Sequence, residues 1–367
     1  MKTSALSSKS SALVDGAFGD EYRRSAATRV LVLAAGVALL AVLAVLAVTV
    51  GAVKVPPGDA CRVLMSVLWT PWRHTTSAFS RALIWELRLP RIVLAVVAGA
   101  GLSLSGAVIQ ATTRNPLASP FTLGISAAAG FGAALAIVLG AGLGGPGAYL
   151  VVANAFACSM LAMGLVHLLA GVKGFSPSAT VLAGVAVNFF FMALTSLLQY
   201  LGQSEDVKAV VLWLMGGLHR ATWGQASLLG GVLLVALVPL FGVAWDLNAL
   251  QLGDEVAHSL GVPHRRLRVW ASLVALLVTA SVVSFTGTIG FVCLVGPHMA
   301  RLVVGPDHRF LLPASCLMGG LLLLGADTVA RTLVAPLELP VGIVTSLLGV
   351  PIFVCLLLRG NTGYWGG

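Results

Sequence analysis

Gly287-Thr288-Ile289-Gly290-Phe291, Pro297-His298-Met299-Ala300-Arg301 and Glu338-Leu339-Pro340-Val341-Gly342 break a stretch of chain that is otherwise almost wholly apolar. In water, such Gly- and Pro-rich breaks would be ordinary loops. Here the flanking runs are long enough to lie in lipid. Backbone polar groups in lipid must be satisfied internally, and broken backbone is tolerated only against protein or a water-filled path. The stretch therefore predicts a membrane protein with a pathway through it.

Composition extends this reading to the whole chain. Of its 367 residues 58% are hydrophobic and 10% charged, and the mean hydropathy is +0.98. Soluble domains carry about 25% charged residues. Each helical span needs about 20 apolar residues, so the length accommodates roughly ten spans in one bundle. The net charge of +9 would suggest nucleic acid in a soluble protein. Here the basic residues lie mostly between apolar runs, where Lys and Arg mark cytoplasmic loops. The five cysteines, Cys61, Cys158, Cys293, Cys316 and Cys355, form no CxxC pair. They predict neither a disulfide framework nor a zinc site.

Apolar runs of spanning length occur near 29–52, 92–112, 121–142, 148–170, 179–201, 225–246, 268–286, 288–304, 311–333 and 341–358. The first is too long for a secretory h-region of about 7–15 residues. It reads as an uncleaved helix behind a disordered cytoplasmic tail, residues 1–28, followed by a single transmembrane domain over 29–360. With the N-terminus inside, the inner segments hold Arg114, Lys173, Arg265, Arg266, Arg268, Arg301, Arg309 and Arg359, as the positive-inside rule requires. Both termini are then cytoplasmic. The outer loop 53–91 dissents, with Lys54, Arg62, Arg73, Arg81, Arg88 and Arg91 against Asp59 and Glu86. A basic outer surface suits an acidic partner.

Within the second span, Ala95, Gly99, Ser103 and Ala107 recur every four residues. Small residues on one face let helix backbones approach closely in lipid, and Gly101 and Gly106 widen that surface. The inner loop, about 247–268, is the longest polar inner segment after the tail. Gly253-Asp254-Glu255 opens a short helix with acidic residues in its first turn, and Gly261 and Pro263 stop it. Such a helix beneath a bundle is either a connector or a surface for another protein to grip.

At these positions the chain resembles the FecCD family, permease subunits of binding-protein-dependent ABC importers for iron chelates, haem and vitamin B12. The resemblance runs from Leu87 to Arg359. It is carried by Leu87-Arg88-Leu89-Pro90-Arg91, by Gln110 with Arg114-Asn115-Pro116-Leu117-Ala118, and by Leu182-Ala183-Gly184-Val185. Further matches are Leu252-Gly253-Asp254-Glu255-Val256-Ala257 with Leu260-Gly261-Val262, the three breaks above, Gly305-Pro306-Asp307-His308-Arg309, and Asp327 to Arg331. Cys293 stands where members often carry Gly, Gly296 where an apolar residue is usual, and Ser119 where Asp is common.

The resemblance implies an all-α membrane protein of about ten transmembrane helices, the type II ABC importer permease fold. It implies a homodimer with the pathway on its two-fold axis in the bacterial inner membrane, two cytoplasmic ATPase subunits and an external, periplasmic or lipid-anchored, binding protein. No cofactor is expected in this chain, with ATP-Mg on the partner subunit. Asp254, Glu255, Ala257, Leu260 and Gly261 would form the ATPase-coupling helix. Arg331 would receive acidic residues of the binding protein, with Arg62, Arg73 and Arg81 as less secure companions; the competing reading of Arg331 is an i,i+4 pair with Asp327. Ser178 is the candidate inner gate. Asn188, Thr195 and Gln199 would face the pathway or make interhelical hydrogen bonds.

His298 and Arg301 read as the end of a helix near the inner face, where cations favour the helix dipole, rather than as ligands. The chain carries neither a Gly-x-x-x-x-Gly-Lys-Ser/Thr phosphate loop nor His-Glu-x-x-His, so it is expected to be a transport subunit rather than an enzyme. The cargo expected is a ferric siderophore, then haem, then cobalamin. An ion-coupled secondary transporter is the rival from another class. It would need ionisable groups at mid-membrane, whereas Asp246 and Asp327 fall near span ends.

Overall fold

A computed structural model describes residues 2–51, 55–65, 77–143 and 148–359. All regular structure among them is helical: α1 (Lys2–Thr49), α2 (Pro57–Met65), α3 (Ala78–Ala82), a π-helical stretch (Leu83–Arg88), α4 (Leu89–Thr113), α5 (Ile125–Leu139), α6 (Ala148–Val172), α7 (Pro177–Leu201), α8 (Ser204–Leu214), α9 (Trp223–Gly242), α10 (Ala244–Gln251), α11 (Asp254–Ser259), α12 (His264–Thr286), α13 (Val292–Val304), α14 (His308–Thr332) and α15 (Val341–Arg359). Seven helices are long and apolar enough to cross a membrane, and α5, α13 and α15 are shorter apolar helices. These ten correspond one for one to the ten expected spans. Helix α1 also continues through the polar segment expected to be a disordered tail.

Helix α4 is the axis of the bundle, with 21 of its 25 residues buried. Its main neighbours are α14, α12 and α13. Small residues explain why it can sit there. A Cβ on Gly99 would strike the Gly319 carbonyl of α14, and one on Gly106 the Cys293 carbonyl of α13. Backbone therefore meets backbone at both crossings, as close-packed small residues allow in lipid. Gly296 is explained in the same way, since a Cβ there would strike the Ser103 side chain.

The start of α4 has a specific local cause. Pro90 has no N–H to give the preceding turn, and the helix before it widens to π. The Leu89 N–H reaches back to the Ile84 carbonyl, so the next carbonyl in that register, Trp85, lacks its helical donor. Trp223 Nε1 donates to it at 2.9 Å, joining the start of α9 to this end of the bundle.

The break Thr286–Phe291 lies between α12 and α13 and is largely buried. Gly287 (φ 69°) and Phe291 (φ 65°) both take left-handed backbone. Two hydrogen bonds tie it to the protein: Gly217 N donates to Thr286 O at 2.8 Å, and Thr288 Oγ1 donates to Leu214 O. The end of α8 thus seals this break, an element the sequence reading did not foresee.

Candidate functional site

The segment α10–α11 is built as a knob with a buried edge. In α11, Ala257 is fully buried and Val262 nearly so. Gly261 takes φ 80°, its N–H donates to His258 O, and the Val262 N–H donates to Ala257 O at 2.9 Å. This is the paired hydrogen-bond pattern that ends a helix on a left-handed glycine, with its two apolar residues in contact range. The outward edge presents Leu252, Val256 and Leu260, which are 66%, 41% and 62% exposed, beside exposed Glu255. Three exposed aliphatic side chains thus stand together on an otherwise polar segment.

Asp254 points the other way, into the bundle. Its Oδ1 accepts from Arg268 Nη2 at 2.8 Å, and Arg114 Nη1 lies 3.7 Å from the same oxygen. Arg268 is only 3% exposed. Its Nε donates to Thr112 O at 2.7 Å and its Nη1 to Phe175 O at 3.1 Å. One guanidinium therefore joins α11, the end of α4 and the turn before α7. The hydrogen bond from Arg268 holds the Asp254 carboxyl below its ordinary range, against the opposing effect of burial.

The other flank of the knob is pinned to α14. Asn248 Nδ2 donates to Asp307 Oδ1 at 2.9 Å, and His308 N donates to Asn248 Oδ1 at 2.9 Å. Asp307 also caps α14 by accepting from Arg309 N at 3.1 Å. The Arg309 guanidinium lies 3.8 Å from the Trp245 ring centroid, within cation–π range. Partial burial disfavours ionised Asp307, but hydrogen bonds from Arg309 and Asn248 outweigh it and hold its carboxyl at about 2.

At the opposite end of the bundle, the basic residues divide into buried and exposed sets. Asp327 is fully buried and is shared by Arg91, whose Nη2 is 2.9 Å away, and Arg331, whose Nε is 3.1 Å away. Arg91 also donates to Glu338 Oε2 at 2.7 Å. Arg331 Nη2 donates to Ala47 O at 3.4 Å and Arg88 to Val48 O, so two cations sit on the C-terminal carbonyls of α1, where the helix dipole favours them. Of the two readings of Arg331, the i,i+4 pair with Asp327 is present. At 5% exposure its side chain is withdrawn from the surface a docking partner would touch, held between Asp327 and the end of α1. Arg62 and Arg81 are exposed, with Arg62 paired to Asp59 at 3.1 Å. Arg73 lies outside the described residues.

Helix α7 starts on Ser176, whose Oγ accepts from Ala179 N at 3.3 Å, with Pro177 in the first turn. Ser178 is exposed at that start and Asn188 is half-buried. The Asn188 amide donates to Met192 Sδ at 3.4 Å. Thr195 is 7% exposed and its hydroxyl donates to Phe191 O at 2.8 Å. Its polar atom is thus spent on its own helix, and it does not share an open face with half-buried Gln199. Ser178 and Gln199 stand at opposite ends of the helix, about 30 Å apart by helical rise. What α7 exposes is apolar: Leu182, Phe189, Phe190 and Leu197.

Two other residues resolve as structural. His298 Nδ1 lies 2.7 Å from Leu294 O, with its ring edge-on to Phe353 at 6.0 Å. Arg301 Nη2 donates to Gln110 Oε1 at 3.1 Å, tying α13 to α4. The sequence reading missed the anchor Asn248–Asp307 and the hub at Arg268. The run Gly305 to Arg309 was visible as a motif, but its partners lie about 60 residues away, and no local pattern connects them.

Residues 39–359 match the model of the FecCD transport family. The chain is 41% identical over 332 residues to the cobalamin import system permease protein BtuC of Halobacterium salinarum, covering 87% of each. It is 38% identical over 300 residues to the Fe(3+) dicitrate transport system permease protein FecD of Escherichia coli, covering 80% of this chain and 92% of that one. Its fold superposes with a TM-score of 0.78 and 31% identity on a metal-chelate type ABC transporter in an inward-facing conformation, covering 90% of this chain and 99% of that one. Ten apolar helices among the described residues and this match over most of the chain together show that it belongs to the FecCD transport family and is the permease subunit of an ABC importer.

Proposed function

We propose that this permease carries a ferric siderophore across the bacterial cytoplasmic membrane. Two identical copies would enclose the pathway, an external binding protein would deliver the chelate, and two separate ATPase subunits holding ATP-Mg would drive it. The observation that carries this reading is the knob at α11. Its exposed Leu252, Glu255, Val256 and Leu260 are framed by Gly253 and Gly261, while Asp254 and Asn248 pin its two flanks. A projecting surface with rigid roots is suited to receive force from a partner and deliver it to the bundle. Arg114, Lys173, Arg265, Arg266 and Arg309 gather at the same end, which supports placing that end in the cytoplasm. Both termini then lie there too.

In this reading the half-buried Asn188, the exposed apolar face of α7 and the exposed Ser178 at its start line and close the pathway. A wall of few charges suits a large chelate, because a tight site would trap its cargo. Thr195 contributes to packing. Outside, exposed Arg62 and Arg81 meet acidic residues of the binding protein, while Arg331 supports them from beneath. A charged rim chiefly sets orientation and encounter rate.

The test is co-purification of the chain with its ATPase. Leu260→Asp removes the exposed aliphatic contact without touching the buried edge, and it is expected to abolish ATPase capture while the permease still expresses and remains monodisperse. Undiminished capture would refute the docking role. The cargo is read from ATPase stimulation by binding protein loaded with a ferric hydroxamate, haem or cobalamin. The largest stimulation is expected with the ferric hydroxamate; stimulation by haem or cobalamin alone would replace that assignment.

A further inference from the structure

The guanidinium of Arg268 occupies a position that neither packing nor docking explains. It is 3% exposed, yet its polar edge is divided among three segments. Nε is fixed to Thr112 O at 2.7 Å. Thr112 lies in the last turn of α4, the most enclosed helix of the bundle, and its carbonyl is one of the orphan acceptors of a helix C-terminus. The far edge of the same planar group serves the other two: Nη1 donates to Phe175 O at 3.1 Å, and both Nη atoms face Asp254, the closer contact being 2.8 Å. An arginine holds such contacts as a rigid fork, because its five N–H donors lie in one plane.

Phe175 is not an ordinary loop residue. It takes φ 59°, a left-handed conformation that a bulky side chain rarely adopts and keeps only when surrounding contacts enforce it. Its N–H closes α6 by donating to Ala170 O at 2.9 Å, and its carbonyl is the one Arg268 holds. The next residue, Ser176, caps α7 through Ala179 N and also accepts from Thr180 Oγ1 at 3.1 Å. A displacement of the Phe175 carbonyl is therefore passed directly to the first turn of α7, where Ser178 stands exposed. Beside the guanidinium lies a small void lined by Thr113, His167, Phe175, Thr180, Arg268 and Ser272.

We propose that Arg268 is a positioning residue that turns displacement of α11 into displacement of the start of α7, with α4 as its fixed point. This rests on the reading of α11 as the seat of the ATPase. When the partner pulls α11, Asp254 draws the outer edge of the guanidinium. The edge swings about its bond to Thr112, and the Phe175 carbonyl follows. Arg114, 3.7 Å from Asp254, reinforces the charge attraction but touches neither carbonyl and so cannot replace the link. A chain of contacts counts as coupling only where both ends respond to the same event, so the test must read both ends.

The experiment uses the complete permease–ATPase complex with exposed Cys61 and Cys355 replaced by Ser. Spin labels are placed in separate preparations at Ser259→Cys on α11 and Ser178→Cys at the start of α7. Distances between the two copies are measured before and after trapping with ATP and orthovanadate. In the parent chain both distances are expected to shift. With Arg268→Gln the Ser259 shift is expected to persist and the Ser178 shift to vanish, with transport per ATP falling about tenfold, the scale of one lost charge-assisted hydrogen bond. A Ser178 shift that survives Arg268→Gln overturns the proposal while leaving the docking role intact. Absence of the Ser259 shift in the parent chain overturns the docking role and this proposal with it. Should Arg268→Gln fail to assemble, Asp254→Asn keeps the arginine on both carbonyls and is expected to diminish the Ser178 shift; a full shift there overturns the proposal equally.

Discussion

Gly99 of α4 and Gly319 of α14 meet backbone against backbone, and a Cβ added to either would collide with the other's carbonyl. The contact sits at the centre of the most extensive helix pair in the bundle. Gly99→Val and Gly319→Val are each expected to destabilise the permease by more than the about 1–3 kcal/mol usual for overpacking, because main chain rather than side chain must yield. The check is the thermal midpoint of detergent-purified protein, with Gly230→Ala as control, since a Cβ there meets open space.

The buried charges at the opposite end predict an asymmetry. Asp327 serves both Arg91 and Arg331. Removing Arg331 leaves Asp327 paired; removing Asp327 leaves buried arginines facing one another. Breaking a buried pair costs about 3–5 kcal/mol when the remaining charge is uncompensated. Asp327→Ala is therefore expected to lower the melting temperature well below that of Arg331→Met, and equal losses would contradict the shared-carboxylate geometry.

Acid should loosen the anchor between α10 and α14. Asp307 is held at about 2 in the folded protein, below its unfolded value of about 3.9. A depressed carboxyl contributes stability that is complete above the unfolded value and lost as pH falls through the folded one. The contribution is of the order of 2 kcal/mol at neutral pH. The difference in melting temperature between the parent chain and Asp307→Asn is expected to be largest near neutrality and to shrink from about pH 5 towards pH 2. A difference independent of pH would show that the Asp307 charge adds nothing.

The left-handed glycine that ends α11 gives a local prediction. Gly261 takes φ 80° with no neighbour near its missing Cβ, so conformation alone penalises a side chain there. Gly261→Ala is expected to cost about 1 kcal/mol and Gly261→Val more, measured as thermal stability and as ATPase capture. Equal behaviour of the parent and the Val variant would contradict that backbone geometry.

Much of the fold was legible because the bilayer simplifies the code. Ten apolar runs gave ten apolar helices, and the four-residue recurrence of Ala95, Gly99, Ser103 and Ala107 marked the helix that became the axis. Helix α8 escaped because its 11 residues are too short to span and its acidic first turn reads as loop; only the buried break it seals gives it a reason to exist. The candidate site was legible in position more than in direction. Nothing in the local sequence shows that Asp254 faces inward while Glu255 faces out, since that depends on Arg268 arriving from another helix. Arg331 is the counter-case, since its i,i+4 spacing to Asp327 was visible in the sequence and the pair formed; the hydroxyl of Thr195 was taken by its own backbone. Polar residues in apolar helices have few partners, and the nearest carbonyl often wins.

The most direct measurement is uptake of a radiolabelled ferric hydroxamate into proteoliposomes holding the permease, its ATPase and its binding protein. Accumulation is expected only with ATP inside reach of the ATPase, and Leu260→Asp is expected to abolish it. Uptake by the permease alone, driven by a proton or sodium gradient without nucleotide, would contradict a conduit powered through α11.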